Sequence, residues 1–292
     1  MPVTDLPCIL LVDNGSHRAD STLSLRRIAE FLSARIEAKV HPVSLLHSTR
    51  VDPSELGDVP AQILEPFLRD RRKEGEHSFL VIPFFFGHSA AIYEYLPQRV
   101  LEMRESWSEL EVRIAPSMVK LDEPSDRRVA GILGELVISK IEEKGLHRPA
   151  VTLVDHGTPR IAVNQVRNHV ANQLAEMLGD RVTVVEASSM ERREGKEYDF
   201  NEPLLENLLG TPDFAREVVL SMLFISPGRH AGPGGDIARI CEEAEARFPG
   251  LGTFASDLFA VHPGVVELLV ERYEEGLKAD PVQSEIPAPG ME

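Results

Sequence analysis

Short apolar runs alternate with amphipathic stretches along the first half of the chain. The apolar runs predict strands, and the stretches whose apolar residues recur every three or four positions predict helices. We predict strands at 7–12, 40–46, 78–86 and 111–115, and helices at 21–38, 61–73, 92–104 and 125–144. The run 78–86 is continuously apolar, as a strand covered on both faces requires. This half is therefore predicted to form a mainly parallel sheet of about four strands.

The second half repeats this order. We predict strands at 151–155, 182–187, within 216–226 and at 253–256, and helices at 161–178, 203–209, 236–247 and 263–277. Strands that alternate with helices form right-handed parallel units. The predicted fold class is therefore α/β, with two similar three-layer units.

One sequence motif ends the first strand of both halves. In the second half an apolar strand runs into Asp155-His156-Gly157-Thr158-Pro159-Arg160, and in the first half another runs into Asp13-Asn14-Gly15-Ser16-His17-Arg18. The two copies lie 142 residues apart in a chain of 292, which indicates a duplicated half-chain. We assign residues 1–147 and 148–278 to the two repeats and predict that the proline-rich tail 279–292 is disordered.

The composition restricts the class of protein and its partners. No stretch approaches the ~20 apolar residues of a membrane helix, and residues 1–7 lack the features of a signal peptide. Cys8 and Cys241 are too few for a disulfide framework or a thiolate metal cluster. The net charge of −16 opposes nucleic-acid binding. We expect a cytoplasmic protein with no nucleic-acid or membrane partner.

Two histidines are predicted to lie at the same edge of one sheet. His156 follows the first strand of the second half, and His230 lies in the glycine-rich loop after the third strand. The carboxyl ends of parallel strands meet at one edge, where open parallel sheets bind their ligands. Gly157 allows a tight turn beside His156. Thr158 is expected to cap the following helix, with Pro159 at its first position.

The glycine-rich loop 228–235 admits a second interpretation. Its four glycines let the backbone approach a ligand closely, and such loops before helices also bind phosphate through backbone amides. The spacing matches neither of the common nucleotide-binding glycine motifs, so we favour a histidine site. A phosphohistidine-type phosphatase would need an arginine before the motif histidine, where Asp155 stands. His262 is interpreted as a helix-start residue, with a position in the same cleft as the alternative.

Glu191 is predicted to lie near the two histidines, because the second strand of the same half ends just before it. Two imidazoles and a carboxylate with open positions bind a divalent first-row metal loosely. Imidazoles also act as general bases near neutral pH. An ordinary solvated loop is the alternative for Glu191, which lies in the charged run 191–194.

These motifs resemble the class II chelatases of tetrapyrrole biosynthesis, specifically the sirohydrochlorin chelatase (CbiX-like) group in its two-repeat form. The resemblance rests on the motif 155–160, on the segment 224–236 with Gly228 and His230, and on the duplicated layout. It implies two flavodoxin-like units that face each other across a cleft. It also implies a lyase-type enzyme that inserts Co²⁺ or Fe²⁺, and in some relatives Ni²⁺, into sirohydrochlorin. This reaction, in cobalamin or siroheme biosynthesis, would use neither ATP nor an organic cofactor.

The resemblance also implies roles for individual residues. His156 and His230 would accept pyrrole protons or hand over the metal, and Glu191 would position the metal or the ring. Arg160 and Arg229 are candidates to pair with carboxylates of the tetrapyrrole, with surface arginines at helix ends as the alternative. Gly157 and Gly228 complete the predicted substrate-binding set. A monomer would suffice, and a dimer is also compatible.

The first half departs from the family pattern. Asn14 replaces the first histidine, His47 is placed opposite Glu191, and Ala91 rather than His88 falls at the second histidine position. We therefore expect one working site, in the second half. The first half is either a structural partner whose Asn14, His17, His47 and His88 line the opposite wall of the cleft, or it retains some metal binding. The alternative function is a non-catalytic metal- or tetrapyrrole-binding protein on a degenerate chelatase scaffold.

Overall fold

The computed structural model describes residues 6–232 and 234–283. Its strands are β1 Cys8–Asp13, β2 Val40–Ser44, β3 Ser78–Pro83, β4 Glu111–Ile114, β5 Ala150–Asp155, β6 Val185–Ser189, β7 Glu217–Met222 and β8 Gly252–Ala255. Its α-helices are α1 Ala19–Ile36, α2 Leu64–Lys73, α3 Leu96–Arg104, α4 Arg128–Lys144, α5 Ile161–Leu178, α6 Leu205–Leu208, α7 Asp236–Arg247 and α8 Gly264–Gly276. A π-helical turn, Ala91–Tyr95, leads directly into α3.

Each half of the chain builds a four-stranded sheet in which all neighbouring strands are parallel. The strand order is β2-β1-β3-β4 in one sheet and β6-β5-β7-β8 in the other, the flavodoxin-like order. In this order the connections leave the first strand of each sheet in opposite directions, which opens a crevice at the carboxyl ends of the two central strands. The predicted α/β class with two similar parallel sheets is confirmed.

The contacts divide the chain into two units. One lies within residues 1–120 and 266–292, and the other is residues 121–265. This division differs from the predicted repeat boundary at 147/148, because α4 belongs to the second unit and most of α8 to the first. As the limit of the sequence repeat, that boundary stays a prediction.

The first unit buries apolar side chains on both faces of its sheet. Leu64, Phe67 and Leu68 of α2 and Leu96, Val100 and Met103 of α3 lie in one core cluster with β1 and β3. Helix α1 buries Leu25, Ile28 and Leu32. Helix α8 contributes Arg272, which is fully buried and donates hydrogen bonds to the carbonyls of Ser117 and Met118 at 2.9 and 2.8 Å.

The prediction of a disordered tail is wrong for residues 279–283, which pack against the first unit. Val282 is buried in the core of the first unit, and its N–H donates to the Val112 carbonyl at 2.8 Å. Its own carbonyl accepts a hydrogen bond from Arg104. These contacts hold the segment beside β4, since Val112 belongs to that strand. The rest of the predicted tail, 284–292, lies outside the described residues.

The second unit packs α4 and α5 together on one side of its sheet, where α4 also contacts β7. Gly134 of α4 faces α5, where an added Cβ would make an ordinary van der Waals contact of 3.6 Å with the Leu174 side chain. A second cluster, which includes Leu205 of α6 and Ile237 of α7, packs with buried residues of β5 and β7. No helix in the described part of the chain has the length and apolar character needed to cross a bilayer.

Candidate active site

The loop that carries His156 is fixed by hydrogen bonds to Asp155. The Gly157 N–H and the Ser189 hydroxyl both donate to Asp155 Oδ1, at 3.1 and 2.6 Å. Gly157 has a φ of +90°, and an added Cβ would lie 1.8 Å from the carbonyl oxygen of Glu191. Only glycine fits this turn, so the loops carrying His156 and Glu191 are held at backbone contact.

The residues after Gly157 differ from the prediction. Thr158 is not the helix cap and Pro159 is not the first helical residue, because α5 begins at Ile161 with Arg160 at the N-cap position. The Thr158 hydroxyl instead accepts a hydrogen bond from the Arg160 N–H at 3.1 Å. The side chain of Asn201 also pins Thr158, since its amide accepts from the Thr158 N–H at 3.0 Å and donates to the Thr158 carbonyl at 2.9 Å.

His230 is held by a carboxylate at the start of α7. Its Nδ1 lies 2.7 Å from Asp236 Oδ2, and this hydrogen bond is the main cause of a lowered pKa of Asp236. An ionised carboxylate only accepts hydrogen bonds, so the His230 Nδ1–H is the donor and Nε2 is left for a ligand. A Cβ added to Gly235 would come within 2.8 Å of the His230 carbonyl, whereas one added to Gly228 would meet no atom within 4 Å.

The structure brings His156, His230 and Glu191 together. The ring centres of the two histidines lie 4.6 Å apart, with the ring planes at 80°. His156 Nε2 is 3.7 Å from Glu191 Oε1. The site is accessible, since 47% of the His156 side chain and 28% of the His230 side chain are exposed. Within residues 6–232 and 234–283, no group of three or more histidine, cysteine, aspartate or glutamate side chains is arranged to hold a metal ion.

The predicted arginines lie at the rim of this site. The side chain of Arg229 is 77% exposed, and its Nε lies 3.8 Å from Asp236 Oδ2. Arg160 is exposed at the N-cap of α5. His262 has another role, because its Nδ1 accepts from the Gly264 N–H at 3.1 Å and its Nε2 lies 3.0 Å from Glu135 Oε2. The interpretation of His262 as a helix-start residue is confirmed.

A buried arginine stands behind the His156 loop. Arg167 is 2% exposed and donates from Nη1 to the Ser189 hydroxyl at 2.6 Å and to the Asn201 carbonyl at 2.8 Å. Burial raises the pKa of the Asp155 carboxyl, and the Ser189 hydrogen bond and the charge of Arg167 oppose that rise. Burial likewise lowers the pKa of Arg167. The network therefore joins two groups whose charges burial disfavours.

The equivalent loop of the first unit corrects one alignment. A Cβ added to Gly15 would lie 1.7 Å from the Leu46 carbonyl oxygen, as one added to Gly157 would meet Glu191. The N–H of Leu46 donates to Asn14, and the N–H of Glu191 donates to His156. The residue opposite Glu191 is therefore Leu46, and the predicted match of His47 with Glu191 is wrong.

The other predicted position in the first unit, His88, packs against an aromatic ring. The ring centres of His88 and Tyr93 lie 3.9 Å apart.

The roles of three residues, Asp236, Asn201 and Arg167, could not be predicted from the sequence. Asp236 follows His230 by six residues at the start of a helix, but no periodicity links the two. In the sequence, Arg167 and Asn201 are indistinguishable from ordinary polar residues of a helix and a loop.

Comparisons with known proteins point to one family. Residues 150–276 match the family model described as CbiX. Two solved structures of SirB from Bacillus subtilis, one with Fe³⁺ and one in complex with cobalt, are each 16% identical to this chain with a TM-score of 0.65. The matches cover 93% of this chain and 95% of SirB.

A third solved structure, CbiX, is described as the terminal enzyme for the biosynthesis of siroheme in denitrifying bacteria. It is 13% identical with a TM-score of 0.56, and the match covers 91% of this chain and 98% of that one. No curated protein sequence matches the chain. Similarity to the solved structures shows the fold over both halves, and the family model matches residues 150–276 of the second half. The resemblance to the class II chelatases is confirmed, since residues 150–276 match the CbiX family model and the whole chain is similar in fold to SirB and CbiX.

Proposed function

We propose that this protein is a cytoplasmic, sirohydrochlorin chelatase-like enzyme that inserts a divalent metal, Co²⁺ or Fe²⁺, into a tetrapyrrole. The observation that carries this proposal is the pair of imidazoles, His156 and His230, whose ring centres lie 4.6 Å apart within the CbiX-family segment. The SirB structures with Fe³⁺ and with cobalt support these metals, and the CbiX structure supports a tetrapyrrole substrate. Free thiols at Cys8 and Cys241 suit a reducing compartment.

The arrangement suits the chemistry of metal insertion. Two pyrrole N–H protons must leave the ring while the metal exchanges its water ligands for ring nitrogens. In our proposal His156 and His230 accept these protons or hand over the metal, and Glu191 positions the ion. Two ligands bonded at about 2.1 Å to a tetrahedral metal lie about 3.4 Å apart. The 3.7 Å between His156 Nε2 and Glu191 Oε1 is close to that value, so a small side-chain movement would let both contact one ion.

The rim of the site supplies candidate contacts for the ring. Sirohydrochlorin carries peripheral carboxylates, and the exposed guanidiniums of Arg160 and Arg229 are suited to bind them. Gly228 leaves the surface beside His230 open, because no atom lies within 4 Å of the place of its missing Cβ. Gly157 contributes by shaping the turn beside His156. These assignments complete the proposed substrate site.

Replacing either His156 or His230 with alanine should slow insertion by at least about 100-fold, because each variant removes a general base or metal ligand. The measurement is an anaerobic absorbance time course of sirohydrochlorin with Co²⁺ or Fe²⁺, corrected for the nonenzymatic rate. His147→Ala is the matched control, an exposed histidine of the same unit outside the site. If folded wild-type protein accelerates insertion of neither metal, the enzyme proposal is wrong, and retained metal or tetrapyrrole binding would then favour a binding protein.

Asp236→Asn should lower the insertion rate by about 10–100-fold, the usual cost of losing a carboxylate partner behind a histidine ligand. An amide can donate as well as accept, so it no longer enforces the Nδ1–H form of His230. Long-range ¹⁵N–¹H NMR spectra of His230 report this change of tautomer directly. Arg239→Gln is the control, because Arg239 binds Oδ1 of the same carboxylate at 2.8 Å, whereas His230 binds Oδ2. An unchanged tautomer together with a lower rate would contradict the positioning role.

A further inference from the structure

Two histidines of the first unit also form a pair at the carboxyl edge of their sheet. His17 lies in the loop between β1 and α1, and His47 follows the end of β2. Their ring centres are 5.3 Å apart and their ring planes are inclined at 35°. Both residues are exposed. Because Asn14 and Leu46 occupy the positions of His156 and Glu191, this pair is a separate feature and not a remnant of the other site.

The spacing of the rings fits a shared metal ion. Two imidazoles bound through nitrogen at about 2.1 Å to one tetrahedral metal hold their ring centres about 5 Å apart. The observed 5.3 Å is close to this value. Imidazole favours first-row transition metals, whereas Mg²⁺ and Ca²⁺ prefer oxygen ligands. A two-imidazole site leaves further positions for water and therefore binds such ions reversibly.

Hydrogen bonds fix the two loops to each other. Ser48 is buried next to His47, its hydroxyl accepts from the Ser16 N–H at 3.3 Å, and it donates to the Ser44 hydroxyl at 2.7 Å. The loop of His17 is thereby tied to the loop of His47 one residue away from each ring. Because the two loops are already held together, binding an ion costs less conformational entropy.

The backbone of His47 is also unusual. Its φ is +67°, in a region that non-glycine residues rarely adopt. A hydrogen bond from the Arg50 N–H to the His47 carbonyl at 3.0 Å holds this conformation. The conformation belongs to the same loop that brings the His47 ring beside His17.

We propose that His17 and His47 form a second binding site for a divalent first-row transition metal such as Co²⁺, Ni²⁺ or Zn²⁺. The protein supplies two imidazole ligands and water fills the remaining positions. The net charge of −16 favours the approach of cations. This site needs no tetrapyrrole and no turnover, so it goes beyond the proposed function and does not depend on it.

The test measures Co²⁺ binding by equilibrium dialysis to the full chain carrying His156→Ala and His230→Ala. This background should retain one bound Co²⁺ per chain. Adding His17→Ala or His47→Ala should weaken this binding at least tenfold, and excess Mg²⁺ should not compete. His77→Ala is the control, an exposed histidine of the same unit at the amino end of β3. It should leave binding unchanged.

Paramagnetic Co²⁺ should also broaden the NMR signals of the His17 and His47 rings selectively. Urea unfolding curves of all variants check that lost binding does not reflect lost folding. Binding that is absent from the His156→Ala/His230→Ala background, or that survives removal of His17 and His47, would overturn this proposal. Neither result bears on insertion activity, so failure here and failure of the chelatase proposal are distinguishable.

Discussion

Replacing Arg167 with leucine should lower the free energy of unfolding of the second unit by about 3–5 kcal/mol, the usual cost of removing one partner from a buried charged network. Arg167 is 2% exposed, and its guanidinium donates to Ser189 and to the carbonyls of Asn201 and Phe200. Ser189 in turn donates to Asp155 at 2.6 Å. The substitution would leave carbonyl groups unsatisfied and the buried carboxyl of Asp155 without a nearby positive charge.

Urea unfolding at pH 7, with hydrogen exchange to resolve the second unit, measures this loss. The control is Arg127→Leu, which removes an arginine of the same unit that is 50% exposed and pairs with Glu176 at the surface. This change should have little effect, because exposed ion pairs contribute little. Adding Asp155→Asn to Arg167→Leu should restore part of the stability, since the uncompensated charge is then gone. An Arg167→Leu variant as stable as the wild type would refute the role of the network.

The Arg167→Leu substitution should also affect the active site. Asn201, whose carbonyl binds Arg167, holds Thr158 through both atoms of its amide group. Asp155 holds the Gly157 N–H. The Arg167 network therefore supports the loop of His156 from two sides, so Arg167→Leu should slow metal insertion even where the protein remains folded.

Much of the fold could be predicted because its signals are local. The helices at 161–178 and 236–247 were predicted with their observed ends, since apolar spacing and nearby glycines mark them. The strand predicted at 182–187 ends two residues before the end of β6, Val185–Ser189. The last residues of β6, Ser188 and Ser189, have polar side chains, but both are buried and hydrogen-bonded. Their partners, Thr152 and Asp155, are more than thirty residues away in sequence.

The histidines of the site could be predicted, while the residues that hold them could not. Parallel topology places the carboxyl ends of β5 and β7 side by side, so the proximity of His156 and His230 follows from the strand order alone. The link from Asp236 to His230 depends on the path of a glycine-rich loop, which has no periodicity. The sequence also does not show which unit α4 or α8 packs against. The apolar pattern of an amphipathic helix shows which of its faces is buried but not which sheet it covers.

The first unit already contains the arrangement that Arg167→Leu would create. Leu25 of α1 stands 142 residues before Arg167, and Asp13 stands 142 residues before Asp155. Asp13 keeps hydrogen bonds from Ser44 and the Gly15 backbone, but burial raises its pKa from 3.8 to about 6. Its Oδ1 is buried and has no hydrogen-bond partner among the described residues. The second unit balances its carboxylate with Arg167, whereas among the described residues of the first unit Leu25 occupies the equivalent position.

Asp13→Asn should therefore stabilise the first unit, by about 3 kcal/mol at pH 8. Well below pH 3.8 the carboxyl is protonated in both the folded and the unfolded chain, so its ionisation costs nothing. As the pH rises from about 4 to about 6, the unfolded chain releases the proton first, and the wild-type protein loses stability. The neutral amide does not titrate, so the gain from the substitution should grow across this window and stay constant above it.

Urea unfolding of wild type and Asp13→Asn between pH 4 and pH 8, followed by hydrogen exchange in the first unit, measures this gain. Asp20→Asn is the control, because Asp20 is exposed in the first turn of α1 and its replacement leaves the buried carboxyl in place. A gain that is the same at all pH values would mean that the amide acts through packing rather than through the charge. A loss at pH 8 would show that the Asp13 carboxylate, like that of Asp155, has a compensating partner.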